Sequence, residues 1–444
     1  MKKNHVLTPL SLAYLALYAW GCAAPVAPDL VYEGGESNAG AGSDSRGGGA
    51  GSRSGSGGSG NQPDPIDTLP GVDAPLDEAP DGCLGGVADG AVNLTLDGAV
   101  PSVIIQGDGG MLVVNGNVCT SMDDVEVPLE SLTSVRVTGA AEQENAVILD
   151  LGAGDWSHLL ASAESVQLDL GIDHNSLVVR GTSGPDVFRH GMRGQALVLD
   201  LSGDSTLNVV GEGVTQFAVS LGAGDDTLDD LGVLWVARNA EAAAGAALPA
   251  PEGQPEVEPP LPVLALALPI VVKGGDGNDL LLGGAGPDEF DGGPGDDLMS
   301  GLAGDDTLRA SVTSDGADTF NGGNGYDDVT YELRTQNLTL NVCQSADLVG
   351  CEAGECDCTR MSGEPEENDR LINVEDITGG EGDDIVRGSD LAESLSGGPG
   401  DDEIYGLGGS DVLYGQRGTD LFDGGLDGDY CDGISGERIS GCEL

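Results

Sequence analysis

Acidic residues recur at one place in a nine-residue frame through the C-terminal half of the chain. In a first block they are Asp279, Asp288, Asp297, Asp306, Asp318 and Asp327; in a second, Asp384, Glu393, Asp402, Asp411, Asp420 and Asp429. Two residues before most of them stands a glycine: Gly277, Gly286, Gly295, Gly304, Gly382, Gly400, Gly409 or Gly418. Glycine permits positive φ and leaves backbone carbonyls unobstructed on one side. Carboxylates and carbonyls together are hard oxygen donors, the kind that Ca²⁺ takes in sets of about six to eight. One turn cannot supply that many, but two stacked turns can. These acids, Glu393 excepted, and these glycines are therefore the candidate metal-binding residues, with Ca²⁺ as the expected ion.

The elements that must position them follow from the same frame. Two places after each acid comes an apolar residue: Leu281, Phe290, Met299, Leu308, Phe320 and Val329, then Val386, Leu395, Ile404, Leu413, Phe422 and Cys431. One inward side chain per nonapeptide, flanked by tolerant positions, implies a three-residue strand over a thin core, with turn between strands. Strand, turn, strand, turn makes an 18-residue coil, so each turn stacks on the turn two places along. Three extra residues, 310–312, precede the fifth turn, which begins at Thr313.

Over 274–330 and 379–432 these repeats resemble the RTX, or hemolysin-type, calcium-binding nonapeptide GGxGxDxUx. The resemblance implies a right-handed parallel β-roll with Ca²⁺ in the turns. The expected fold class is thus all-β, a parallel β-roll or β-solenoid, preceded by a degenerate β-solenoid region. Departures from the pattern are Leu391 and Asp427 at the fourth position, Glu393 at the sixth and Thr313 at the first. Under the stacking scheme Asp402 lies between Asp384 and Asp420. Asp279 opens the first block with only Asp297 beyond it, and the longer Glu393 should make a weak or empty site with Asp411.

With 76 acidic against 17 basic residues and a formal charge of -59, the chain would repel nucleic acid. Few aromatics and 75 glycines argue against a conventional core, leaving disorder or cation-dependent order. Lys2 and Lys3 precede an apolar stretch ending at Gly21-Cys22, so 1–21 reads as an export signal. Cys22 is the expected lipidation site and membrane anchor; cleavage after Ala24 is the alternative. The other cysteines, Cys83, Cys119, Cys343, Cys351, Cys356, Cys358, Cys431 and Cys442, are even in number and suit disulfides in an oxidising compartment. A metal cluster is the rival reading for Cys343 to Cys358, and Cys431 with Cys442 would staple a cap. The expected location is the cell surface or the extracellular space.

Residues 22–82 read as a Gly/Ser/Pro tether and 240–262 as an Ala/Pro linker. Between them, 83–239 carries short β-branched runs separated by Gly/Asp turns, with LDLGAGD, LDLGID, LDLSGD and VSLGAGDD as self-similar copies. A degenerate solenoid is expected there, and an independent β-sandwich is the alternative. The apolar 261–272 reads as a buried strand capping the array that follows. The first β-roll block is assigned to 263–330, a Cys-rich insertion with strands to 331–378 and the second block to 379–444. The acidic run Glu364 to Asp369 reads as a solvated loop.

An enzyme is the competing function, namely a polysaccharide-acting β-helix over 84–232 with the repeats as an accessory module. Neither HExxH nor GxSxG occurs. Asp155, His158, Asp173 and His174 are the one conceivable catalytic grouping, and turn residues of a solenoid are the plainer reading. Arg180, Arg189 and Arg193 form a cationic group, read either as a glycan site or as counter-charge for nearby acids. No catalytic residue is assigned. The expected function is calcium binding by a non-catalytic, exported structural or adhesive protein.

Overall fold

A three-residue strand has too few ladder bonds to stand alone, so strands this short must stack into a long array. The computed structural model shows that array. It describes residues 87–443 apart from 89, 97–101, 122–124, 141–142, 173, 233–262, 344–361, 366 and 433–437. The export signal, Cys22, the tether, the linker, Asp173, Cys83 and the loop carrying Cys351, Cys356 and Cys358 lie outside the described residues.

Two sheets, of 17 and 15 strands, form the two faces. Successive strands alternate between them through the repeats, and each pairs in parallel with the strand two places along. Leu281 registers with Met299, Phe290 with Leu308, Ile404 with Phe422 and Leu413 with Cys431, each an 18-residue offset. The three extra residues before Thr313 lengthen one coil, pairing Met299 with Phe320, without breaking the ladder. All twelve eighth-position residues are buried in one continuous cluster.

That cluster also holds Val92, Val103, Val135, Val147, Leu177 and Val219 of the region before the repeats. There Ser102–Asp108, Ala146–Asp150, Ser176–Arg180 and Gln216–Ala223 stack in parallel, and the last pairs directly with Ile270–Asp276. The region is therefore the lower part of the same solenoid, not a separate sandwich. Its degeneracy is structural as well as sequential. Val187–Arg193, Ala196–Asp200 and Val209–Glu212 fold back antiparallel, and a second antiparallel excursion, Met111–Val114, leaves Ser102–Asp108.

Two expectations need correction. Ile270–Asp276 does not cap the repeats: it is flanked by Gln216–Ala223 on one side and Glu289–Asp291 on the other, so it is a junction. The run Glu364 to Asp369 is not a solvated loop, because Glu367 and Asp369 are each 3% exposed. Glu367 accepts from the buried Arg334 side chain, and Asp369 Oδ2 accepts from the buried Tyr331 hydroxyl at 2.8 Å. The insertion does continue the sheets, through Thr339–Cys343, Arg370–Ile372 and Asp376–Thr378. At the far end Cys431 and Cys442 are disulfide-bonded, joining Asp429–Asp432 to the final strand Cys442–Glu443. Cys119 is also disulfide-bonded, and Cys343 is buried.

Candidate metal centre

Parallel stacking places the sixth residue of each turn directly above its counterpart one coil away. The backbone N–H of Asp279 donates to Asp297 Oδ1 at 2.8 Å, that of Asp297 to Asp318 at 2.9 Å, and that of Asp318 to Asp369 at 3.1 Å. On the opposite edge Asp288 donates to Asp306 at 2.8 Å, and Asp306 to Asp327 at 2.9 Å. In the second block Asp384 donates to Asp402 and Asp402 to Asp420, while Glu393 donates to Asp411 and Asp411 to Asp429. All the sequence-derived acids are thus brought into ladders along the two edges of the roll.

One carboxylate oxygen is used by the ladder; the other is not. Oδ2 of Asp279, Asp297, Asp306, Asp327, Asp402, Asp411, Asp420 and Asp429 is buried with no hydrogen-bond partner in the protein. A buried, unpaired carboxylate oxygen is costly, and the group answers by holding its proton. Burial pushes the pKa of Asp297, Asp306 and Asp402 up to about 7, and of Asp327 and Asp411 to about 6. Repulsion from stacked acids adds to this, as from Asp384 and Asp420 on Asp402. Asp288 and Asp384 differ: Oδ2 of each accepts the amide of its own second position, Gly284 at 2.6 Å and Gly380 at 2.8 Å. Each is the first acid of its run.

The orphaned oxygens face backbone carbonyls. A Cβ built on Gly274 would stand 2.3 Å from Asp279 Oδ2 and 2.4 Å from the Gly292 carbonyl oxygen of the next coil. Around Gly406 the same pair is Asp411 Oδ2 and Gly424 O, at 2.3 and 2.5 Å. Glycine at the first position therefore keeps a cradle of hard oxygens open. The fourth-position glycines act differently: at Gly418, φ is 143° and a Cβ would stand 1.6 Å from the carbonyl oxygen of Gly400. Their role is to let one turn lie on the next. Among the described residues no three His, Cys, Asp or Glu side chains are grouped so as to hold a metal ion by themselves, so an ion here must draw largely on backbone carbonyls. The donor set fits Ca²⁺, which would neutralise the stacked acids and take up their free oxygens.

Three features escaped sequence reading. The first is that the ladder extends below Asp279: Asp226 N–H donates to Asp279 Oδ1 at 2.8 Å, so Asp279 is an interior member rather than an edge. The near-repeat LGAGDDTL at 221–228 carried that signal. The second is an outer ladder at the fifth position, running the opposite way. Asp296 N–H donates to Asn278 Oδ1 at 2.9 Å, Asp401 to Asp383 at 3.0 Å and Thr419 to Asp401 at 2.8 Å.

The third is Arg334. Between Asp369 and Asp384 the acid column is interrupted by Leu338, whose N–H donates to Asp384 Oδ1. In the turn that Leu338 closes, the Arg334 side chain is 1% exposed. It donates to Glu367 Oε1 at 2.7 Å, Asp315 Oδ1 at 3.1 Å and Glu364 Oε1 at 3.3 Å. A guanidinium of the chain itself supplies positive charge at the seam between the two blocks.

The other sequence candidates lie in the region before the repeats. Arg180 pairs with Asp150, Arg189 with the buried Asp200 and Arg193 with Glu164, so each arginine has an acidic counter-charge. Asp155 accepts the Ser157 amide, and His158 Nδ1 lies 2.8 Å from the Leu132 carbonyl oxygen. Asp155 follows Ala146–Asp150 and His174 precedes Ser176–Arg180. Because those strands are parallel and in register, the two residues lie at opposite strand ends.

Residues 273–308, 375–390 and 396–431 match the family described as the RTX calcium-binding nonapeptide repeat (4 copies). No curated protein matches the chain. The chain carries RTX calcium-binding repeats, in a β-roll, and these repeats bind Ca²⁺.

Proposed function

We propose that this repeat protein is a non-catalytic, exported scaffold whose β-roll is set by extracellular calcium and which serves a structural or adhesive role. One observation carries the reading: buried carboxylates stacked along both edges, eight of them in the repeats with an oxygen that no protein donor satisfies. Such a stack is unfavourable when ionised and bare, and favourable once hard cations lie along it. Folding and ion binding are then one process, with an affinity on the order of 0.1 to 1 mM, as in extracellular modules. Each coil templates the next, so onset should be cooperative. Anchoring through Cys22 fits the sequence.

The non-catalytic part of the reading is supported by the separation of Asp155 from His174 and by the ion pairs that occupy Arg180, Arg189 and Arg193. Circular dichroism of the mature protein in chelator, then with added Ca²⁺, tests the proposal. A cooperative gain of β signal is expected, and superimposable spectra would overturn it. Replacing Cys22 by Ser should release the protein from membranes if the anchor is real.

A further inference from the structure

The matched repeats begin at residue 273, yet the acid column does not. The register Arg180 with Ser220 with Lys273 stacks three turns, 181–186, 221–226 and 274–279, one on another. Asp186 N–H donates to Asp226 Oδ1 at 2.7 Å, and Asp226 N–H donates to Asp279 Oδ1 at 2.8 Å. Asp226 is 2% exposed and its Oδ2 is buried without a protein partner, as in the repeats proper. The backbone matches too. Gly224 has φ 139°, and its carbonyl oxygen lies 1.7 Å from where Gly277 would carry a Cβ. One coil lower, a Cβ on Gly181 would meet Asp186 Oδ2 at 2.6 Å and Leu221 O at 2.2 Å, the same carboxylate and carbonyl pair that surrounds Gly274.

We infer that the turn 221–226 holds a further divalent-cation site outside the matched repeats, with Asp226 as its carboxylate and turns 181–186 and 274–279 as its floor and roof. This deepens the proposed function and rests on it. The column ends below for a visible reason. In register with Asp186 stands Trp156, buried, its Nε1–H donating to Ala153 O at 3.1 Å, and an indole offers no ligand oxygen. At the first coil of that column Asp186 is already satisfied by the Thr182 amide at 2.6 Å. It occupies the place that Asp288 and Asp384 take at the start of their own runs.

Trp156 also provides the test. It lies two coils from the inferred site, roughly 10 Å at the usual strand spacing, close enough to sensitise a bound lanthanide. Terbium, used as the probe in the full mature chain and excited where only tryptophan absorbs, should emit. In a Trp235→Phe background, which leaves Trp156 as the one tryptophan of the mature chain, emission should be lost in Trp156→Phe, fall to background in Asp226→Asn, and persist in Asp402→Asn. Equilibrium dialysis with Ca²⁺ should show Asp226→Asn losing one bound ion. The variant is expected to fold, because asparagine already fills the equivalent place on the opposite edge, at Asn145 and Asn175. Wild-type protein without tryptophan-sensitised emission, or Asp226→Asn with full emission and full calcium stoichiometry, overturns the inference if Ca²⁺ still folds the repeats. If Ca²⁺ does not fold them, the underlying reading fails as well.

Discussion

A ladder carboxylate matters according to what its second oxygen touches. Asp402 and Asp279 each accept the amide of the coil below, donate to the coil above and keep a buried oxygen free. Glu393 sits in the same column as Asp411, but its extra methylene lets the carboxylate turn back onto the Ser389 hydroxyl and amide. With its own turn satisfying it, Glu393 has little left to offer a cation. Asp402→Asn and Asp279→Asn should therefore raise the calcium midpoint of folding by similar factors, on the order of tenfold, and Glu393→Gln should do least. Calcium titration followed by circular dichroism gives the ranking. A midpoint for Asp279→Asn as small as that for Glu393→Gln would mean that Asp279 behaves as an edge. The sequence alone implied such an edge, because the acid beneath Asp279 lies 53 residues away across a linker.

At the level of the coil, charge and proton compete for one place. Burial raises the folded-state pKa of Asp288 and Asp318 to about 8 and of Asp297, Asp306 and Asp402 to about 7. An unfolded aspartate titrates near 4. A raised carboxylate pKa means that the folded state holds more protons, so acid favours it. Without Ca²⁺ this contribution is complete below about pH 4 and is lost as pH rises through 6 to 8. Calcium-free protein should accordingly show more β structure at pH 5 than at pH 8, and added Ca²⁺ should erase the difference by replacing the proton. Equal calcium-free spectra at both pH values would show that the acids are not buried in the ion-free chain. The strands and their eighth-position core were legible in the sequence because local period and burial coincide there. The pairing partners in 331–378 were not. Asp369 joins Asp318 and Glu375 accepts from Asp327 across insertions, and no local period marks such contacts. Glu364 and Glu367 looked solvated because their buried partner, Arg334, lies some 30 residues away in a turn without glycine.

Along the whole molecule the two edges are stabilised by three different means, and this sets what should remain when calcium is removed. In the repeats, acids await cations. At the seam, Arg334 provides a fixed one, and its loss would leave Glu367 and Asp315 buried together. Arg334→Ala should cost about 3–5 kcal/mol at saturating Ca²⁺, read as a lower unfolding midpoint. In the lower coils the edge opposite Asp226 is built from amides. Asn145 N–H donates to Asn175 Oδ1 at 3.0 Å, Asn175 N–H donates to Thr215 Oγ1 at 2.9 Å, and Asn145 Nδ2 reaches the Leu170 carbonyl at 3.1 Å. An amide carries both donor and acceptor, so this ladder is complete without an ion. The lower coils also have the broader core, with Val147, Leu149, Trp156, Leu159 and Leu177 in one cluster. Chelation should therefore unfold the protein from the repeats and leave coils below about residue 180 standing. Limited proteolysis in chelator, followed by mass mapping, should find cuts concentrated in 274–432 and a protected fragment reaching back to about residue 100. Cuts spread evenly through both regions would show that the amide ladder does not hold the lower coils on its own, and that calcium organises the whole solenoid.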